Sequence, residues 1–506
     1  MIEKISDYSK LIITGLLICI IFILLFGGLF LAIFIDDGFA KYSILLSSKN
    51  GYFKFYLSIY LLLVFLFGYI YFKFIRNCSK KTLLIYIFFL AFIPRIIICL
   101  QENYVPMSDF NNYFNFGLNF YYGNFSEIAR IVSMYGLPSF GGLALFNGLI
   151  MKLFSPTLWG LQLGNCIMTS FICIVIFGIL NIYNYKAALI GAFLYAVYPS
   201  NIVSSQVTTN HHGTTLFAYI AIYLFLRMIK SEENSNKKDI ILSVIIGLFL
   251  TISNFFHPSA VIYVLAISFF SFLFYIKNNK LLKKYLLCVG SIIITFILAS
   301  NVFIYALNNY GIISSTETAP ILSKFVVGLN VENAGKYDSE IYSNFNSLNE
   351  SEQLELTVDV VTDAVVHPVR TLKLFIEKGY IGWFSSDSYF YWAYGGKITQ
   401  ANEKGEDTTK LSNFNNSFGV IDILFLRIVY AVGLFYLITS IKDKSNDKIR
   451  TLLVWIILGW IGLYFLTEIQ PRYRYMSIPS FVMLASFGFC EIINKINILY
   501  YKYFEK

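Results

Sequence analysis

The chain is short of charge. Only 14% of its 506 residues are Asp, Glu, Lys or Arg, while 57% are hydrophobic and 18% aromatic. Soluble domains carry about 25% charged residues, so a free-standing soluble domain is excluded. Cysteine is also sparse. Cys19, Cys78, Cys99, Cys166, Cys173, Cys288 and Cys490 are scattered, and none falls in the long polar segment 308–418. No disulfide framework and no metal-type pair spacing follows from them. There is no Gly-rich phosphate loop, no G-x-S-x-G elbow and no His/Cys metal motif, so nucleotide hydrolysis and zinc hydrolysis find no support. No internal repeat, low-complexity tract or pseudo-symmetry between halves is visible, and the last of these is common in transporters.

What is present is a series of apolar runs of about 20 residues, the length a helix needs to cross the hydrocarbon core. They predict an all-α integral membrane protein of about 12 transmembrane helices. The expected spans are 11–35, 53–73, 82–100, 158–180, 187–203, 208–229, 239–256, 258–276, 285–307, 419–441, 451–468 and 475–494. Residues 11–35 are too long for a cleavable signal peptide and lack a small-residue cleavage site, so they are read as the first span. The net charge of +9 gathers in short loops, at Lys73/Arg76/Lys80/Lys81, Lys230/Lys237/Lys238, Lys277/Lys280/Lys283/Lys284 and Lys442/Lys444/Lys448/Arg450. That is the positive-inside bias, not a nucleic-acid surface, and no nucleic-acid partner is expected. It places both termini in the cytoplasm.

Two large segments are then expected outside. Residues 101–157 begin polar and end in the apolar stretch Leu143–Phe154, about a dozen residues and shorter than a span needs. They are read as interfacial helices. Residues 308–418 contain 14 acidic and 8 basic residues, a net charge of −6. They are read as a small extracytoplasmic cap, with one helix from about Glu350 to Val366, a break at His367-Pro368, and a short helix over Arg370–Lys378. The aromatic cluster Trp383, Phe384, Tyr389, Phe390, Tyr391, Trp392 and Tyr394 is expected at the lipid headgroup level. The organisation is therefore 1–81 (two extra N-terminal spans), 82–307 (a core containing loop 101–157), 308–418 (cap) and 419–506 (three last spans).

Four places with polar chemistry end on the same face. The first is Ser108-Asp109-Phe110-Asn111-Asn112-Tyr113. A carboxylate is costly next to hydrocarbon and invites a functional explanation, and Asp109 reads either as a helix cap with Ser108 or as a catalytic base. The second is Thr208-Thr209-Asn210-His211-His212. Adjacent histidines point in different directions on a helix and make poor joint ligands for one metal, while Thr208 or Asn210 would cap the following helix. The third is His257, before Pro258. The fourth is Glu468-Ile469-Gln470-Pro471-Arg472-Tyr473-Arg474-Tyr475. Two arginines outside run against the charge bias, and the guanidinium fork matches a phosphate. Arg95, inside an apolar run, is a functional candidate by default unless it snorkels to the nearer surface.

Taken in order, Ser108-Asp109…Tyr113, the helices after it, Tyr198-Pro199, His367-Pro368 and Glu468…Arg472-Tyr473-Arg474-Tyr475…Pro479 resemble the GT-C glycosyltransferases. The nearest branch is the protein O-mannosyltransferase and aminoarabinose-transferase group (glycosyltransferase family 39-like), over about residues 82–494. The resemblance implies a polyprenyl-phosphate sugar as donor, an acceptor that is a glycan, lipid or protein, and a site facing outside a bacterial cytoplasmic membrane. Asp109 would act as an inverting general base. Arg472 and Arg474, with Arg95 as a further candidate, would hold the donor phosphate, and Tyr113, His211, His212, His257 and Tyr473 would bind substrate. No cofactor is implied, although some related enzymes use a divalent metal. Phe110 stands where many members carry a second acidic residue, and Asn210-His211-His212 where an acidic residue is often found. The rival classes are an O-antigen or polysaccharide polymerase or ligase, and a flippase or transporter for lipid-linked sugars.

Overall fold

The computed structural model describes residues 11–22, 51–75, 78–135, 138–231, 236–276, 278–313, 322–384, 388–441 and 447–504. Among them no strand occurs, so the protein is all-α. Among the described residues nine helices are long and apolar enough to cross a membrane: Gly51–Ile75, Lys80–Cys99, Leu158–Asn181, His211–Lys230, Lys237–Phe256, Asn279–Asn309, Thr409–Thr439, Asp447–Leu466 and Pro471–Ile498. A tenth expected span, 187–203, is a pair of helices, Tyr185–Val197 and Pro199–Gln206, bent by 59°. The other two, 11–35 and 258–276, correspond to shorter apolar helices, Leu11–Phe22 and Val261–Tyr275. The rest of 11–35 lies outside the described residues, as does its reading as an uncleaved span.

The helices sort by how much of each faces protein. Within its apolar window Gly51–Ile75 is 6% buried and Asn279–Asn309 17%, whereas His211–Lys230 is 72% and Pro471–Ile498 78% buried. The two rim helices are the more apolar, with mean hydropathy 2.1 and 2.3 against 1.3 and 1.7 for the two central ones, because lipid accepts only apolar side chains whereas the protein interior can satisfy polar ones. Small residues set the central approach. A Cβ at Gly213 would lie 2.3 Å from the Phe256 ring, and one at Gly142 2.6 Å from Cβ of Phe255. The end of the Asn236–Phe256 helix is therefore slotted between Ser139–Leu153 and His211–Lys230, which brings His257 beside His211.

The bend at Tyr198-Pro199 opens a helix inside the bundle, and the two exposed helix ends are met by charges of the matching sign. Arg95, fully buried, donates through Nη1 to Ala196 O (3.2 Å) and Ala91 O (2.6 Å), and through Nη2 to Tyr195 O (3.4 Å). Tyr195 O and Ala196 O are carbonyls at the negative end of Tyr185–Val197, while Ala91 O belongs to Arg95's own helix. Across the break, Asp422 Oδ1, from Thr409–Thr439, accepts the Ser200 amide (2.9 Å) at the positive end of the next helix. Backbone groups freed in an apolar interior must be satisfied by protein, and this pair does so. The segment after the bend is tied in turn: Thr208 Oγ1 donates to Phe110 O (2.6 Å) and meets Tyr104 OH (3.0 Å).

The cap helices form as read. Glu350–Val366 starts with a capping box, Asn349 accepting from Glu352 N and Glu352 accepting from Asn349 N, and Pro368 opens Pro368–Gly379 at its first turn. The aromatic cluster differs from expectation. Trp383, Phe384, Tyr389, Phe390 and Tyr394 are at most 2% exposed. They pack inside the protein instead of standing at a lipid interface, because the Ser388–Glu403 helix lies over the polar loops and its rings find partners there.

Arg95→Ala leaves three buried carbonyls without their charged donor. At about 1.5–3 kcal/mol for a hydrogen bond to a charged group, it is expected to lower stability by several kcal/mol, with partial recovery in Arg95→Lys. Thermal unfolding in detergent, followed by tryptophan fluorescence, measures it.

Candidate functional site

The four polar places meet at one end of the bundle. Asp109 is the first residue of the helix Asp109–Tyr122, and Ser108 before it makes no side-chain cap bond. The Asp109 carboxylate instead accepts from Arg472 Nη2 at 3.0 Å. Arg472 belongs to the short 3₁₀ turn Pro471–Ser477, which leads into the last span. Its side chain is 7% exposed and that of Asp109 31%, so the carboxylate keeps access that the guanidinium lacks.

The guanidinium of Arg472 rests among three rings, 4.9 Å from the Phe110 centroid, 5.3 Å from Trp392 and 5.5 Å from Tyr473. Aromatic faces attract a cation most strongly when water is excluded. Phe110, which departs from the acidic pair of the resembled family, therefore has a role: it forms part of the platform for Arg472. Arg472 Nε is buried with no hydrogen-bond partner among the described residues. A buried guanidinium N–H left over in this way suits an anionic oxygen.

The histidines stand next to this pair. His211 Nδ1 makes a short hydrogen bond with Tyr389 OH, and its ring lies 5.6 Å from that of His257 and 6.3 Å from that of Tyr473. His257 Nδ1 pairs with Ser259 Oγ at 2.7 Å, and burial pushes its pKa down to about 3, so it works as a neutral imidazole. His212 is turned away. Its Nε2 faces Ser204 O and its Nδ1 the Tyr475 hydroxyl, both at 2.9 Å, so both ring nitrogens are taken up inside the bundle. The expected caps of this helix, Thr208 and Asn210, do not cap it: Asn210 makes no side-chain cap bond, and Thr209 Oγ1 accepts the His211 amide at 3.3 Å. Thr208 is drawn to Phe110 O instead.

Arg474 and Arg95 are not brought to Asp109 in the way Arg472 is. Arg474 is 1% exposed and donates from Nη1 to Gly382 O at 3.0 Å, tying the turn to the cap. Arg95 holds the helix break. Tyr113 packs its ring against Phe110, Phe116 and Phe140, and its carbonyl accepts from Asn147 Nδ2 at 2.9 Å.

Behind Arg472 lies a network centred on Glu468, which the sequence analysis quoted without giving it a role. Glu468, 2% exposed, accepts from Lys324 Nζ (2.8 Å), Tyr342 OH (2.7 Å), Gln470 Nε2 (2.6 Å) and Tyr473 OH (3.2 Å). Burial alone would raise its pKa, but Lys324 and the other donors hold it below the ordinary value. Two of the donors come from the cap, so the network joins cap, Glu468 loop and Arg472 turn. Lys378, fully buried, adds bonds to Gly328 O, Phe465 O and Thr467 O at 2.6–2.8 Å. Tyr389 and Trp392 were missed as site residues. They lie three apart on one helix and so share a face, but composition alone had assigned them to the lipid interface. Among the described residues no group of three or more His, Cys, Asp or Glu could hold a metal ion.

Removing Glu468 strands a buried set of donors, at about 3 kcal/mol for breaking a buried pair. Glu468→Ala is expected to destabilise the protein more than Lys324→Ala, whose side chain is 41% exposed. The folded-state pKa of Glu468 is depressed from 4.5. Its contribution is thus present above that pH and lost as pH falls below it, and Glu468→Gln should remove that part of the acid-side loss. Unfolding curves at neutral and acid pH decide both.

Residues 142–305 match the family model described as Dolichyl-phosphate-mannose-protein mannosyltransferase. No curated protein matches the chain. Among solved structures, the chain is similar to the Archaeoglobus fulgidus oligosaccharyltransferase in its complex with Zn and sulfate, at 13% identity and TM-score 0.46, over 82% of this chain and 49% of that one. It is similar also to the archaeal oligosaccharyltransferase AglB from Archaeoglobus fulgidus in complex with an inhibitory peptide and a dolichol-phosphate, at 13% identity and TM-score 0.46, over 83% of this chain and 51% of that one. The chain thus spans about half the length of these two proteins. A likeness this loose transfers no residue role. The segment matched by the family model runs from the helix packed against Asp109–Tyr122 to the last helix before the cap, about a third of the chain.

Proposed function

We propose that the protein transfers a sugar from a polyprenyl-phosphate-linked donor to a hydroxyl or amine of a glycan, lipid or protein acceptor. The observation that carries this is the Asp109–Arg472 pair, 3.0 Å apart on an aromatic platform at one end of a membrane bundle. A partly open carboxylate beside a buried, incompletely satisfied guanidinium suits a base and an anion-binding group side by side. The matched family's description names a dolichyl-phosphate-linked mannose and a protein, the same chemical class of donor and one of these acceptors.

In this reaction the Asp109 carboxylate takes the proton of the acceptor. The acceptor's electron pair forms the bond to the anomeric carbon as the bond from that carbon to the phosphate oxygen breaks. The leaving polyprenyl phosphate keeps that electron pair, and the anomeric centre inverts. Charge grows on the phosphate as it leaves, and a preorganised guanidinium in a dry site stabilises this growth. Arg472 supplies it, with Nε offered to the phosphate while Nη2 orients Asp109. Arg474 holds the turn that presents Arg472. Tyr113, His211, His257 and Tyr473 line the approach, with Tyr389 orienting His211, and His212 stiffens the wall behind them. The lipid phosphate is already an activated leaving group, so no nucleotide is needed. The charge bias of the loops supports a site on the outer side of the membrane with both termini inside, and we read that membrane as a bacterial cytoplasmic one.

The test uses the purified protein in nanodiscs with labelled undecaprenyl-phosphate and undecaprenyl-pyrophosphate sugars. Asp109→Asn is expected to bind donor as wild type does and to lose about 10²–10⁴-fold in turnover, the usual range for a general base. Arg472→Ala should bind donor poorly, and Arg472→Lys should recover binding more than rate. Wild-type turnover in Asp109→Asn would overturn the base assignment. Turnover of pyrophosphate donors only would move the protein to the polymerase or ligase class.

A further inference from the structure

The cap presents an apolar face that is largely uncovered among the described residues. On Glu350–Val366, Leu354, Val358, Val361 and Val365 recur at spacings of four, three and four, which places them in one stripe. Val365 is 73% and Val366 64% exposed. On Pro368–Gly379, Val369, Leu372 and Ile376 repeat the pattern, with Val369 82% exposed. The two helices are joined at His367-Pro368 and fastened by the Arg370–Asp363 ion pair and by Thr371 Oγ1, which donates to Ala364 O at 2.6 Å. Exposing so many branched apolar side chains on an otherwise polar segment marks an interaction surface.

Its position says what covers it. Lys378 and Leu374, on the side of Pro368–Gly379 opposite the stripe, are buried against the protein. Lys378 bonds to Phe465 O and Thr467 O, and Phe375 stacks on Phe465 with centroids 4.9 Å apart. Phe465 is in the last turn of the span Asp447–Leu466, and the end of a span marks the boundary between hydrocarbon and headgroups. Leu466, at that boundary, is itself 44% exposed, so the second cap helix docks at the level where the lipid-facing surface of the span ends. The charges agree. Lys373 borders the stripe, where it can meet lipid phosphates, while Glu352 and Asp359 lie on the side of the first helix away from its stripe.

We propose that the helix pair Glu350–Val366 and Pro368–Gly379 lies in the membrane interface at the site end of the bundle, with Val361, Val365, Val369, Leu372 and Ile376 inserted among the lipids. The partner is a lipid surface, in the manner of an interfacial amphipathic helix. The cap is then held between two fixed points: the bilayer on one side, and the Lys378 and Glu468 bonds, which lead to Arg472, on the other.

The test needs no substrate. Spin labels are placed through Val365→Cys, Val369→Cys and Leu372→Cys, and through Glu355→Cys and Asp359→Cys as controls, in a background carrying Cys19→Ser and Cys78→Ser. The protein is reconstituted in nanodiscs, and each label's accessibility to oxygen and to a water-soluble nickel chelate is measured. The expected result is that oxygen dominates at the three apolar positions and the chelate at the two acidic ones. Dominance of the chelate at all five would overturn the proposal. So would low access of both reagents at the apolar positions, which would mean that a second copy or another protein covers the face.

Discussion

A broken helix inside an apolar bundle exposes carbonyls that lipid cannot satisfy, and much of the site end depends on how this is resolved. Arg95 closes one side of the bend at Tyr198-Pro199 and Asp422 the other. With the break held, residues 204–210 can run across the end of the bundle instead of continuing as a helix. Their backbone then serves as a frame: Ser204 O receives His212, and Gln206 O and Val207 O receive amides from Gln162 and Asn165. Two intramembrane charges that would read as catalytic from position alone are thus spent on architecture, and the architecture is what lets His211 reach Tyr389 and the site.

The second constraint is the placement of one cation. Arg472 is buried, yet it is surrounded by three rings and a single carboxylate, not by a full set of acceptors. Taking a charge out of water is costly unless it is paired. The rings offset part of that cost without using up the guanidinium's hydrogen-bonding capacity. This explains why Phe110 can follow Asp109: a second carboxylate there would draw Arg472 into a closed ion-pair cluster, whereas an aromatic ring supports the charge and leaves an N–H available. Polar and aromatic neighbours therefore divide the work, the carboxylate orienting and the rings supporting.

The cap takes part in the same arrangement. Lys324 and Tyr342 converge on Glu468, and Gly328 O and Thr467 O share Lys378. The turn bearing Arg472 begins three residues after Glu468. A displacement of the cap would therefore shift the Glu468 loop and, with it, the cation. Trp392 reaches Arg472 from the same outer segment, so that segment touches the site both directly and through the loop.

The sequence by itself determined that the chain is an all-α membrane protein, where most spans fall, the two cap helices with the break at His367-Pro368, and which four polar turns share a face, while it read 187–203 as one span across the bend at Tyr198-Pro199. These follow from hydropathy, helix period and proline, which act locally. It could not say which arginine faces Asp109, because Arg95, Arg472 and Arg474 are chemically alike and only packing sends one to helix carbonyls, one to Asp109 and one to Gly382 O. Nor could it separate His211 from His212, whose partners Tyr389 and Tyr475 are 178 and 263 residues away. The aromatic segment 383–394 was misplaced at the lipid surface for the same reason: a Tyr or Trp ring suits a headgroup layer and a protein interior equally well. The choice between them is made by neighbours distant in sequence, and those exist only in the tertiary structure.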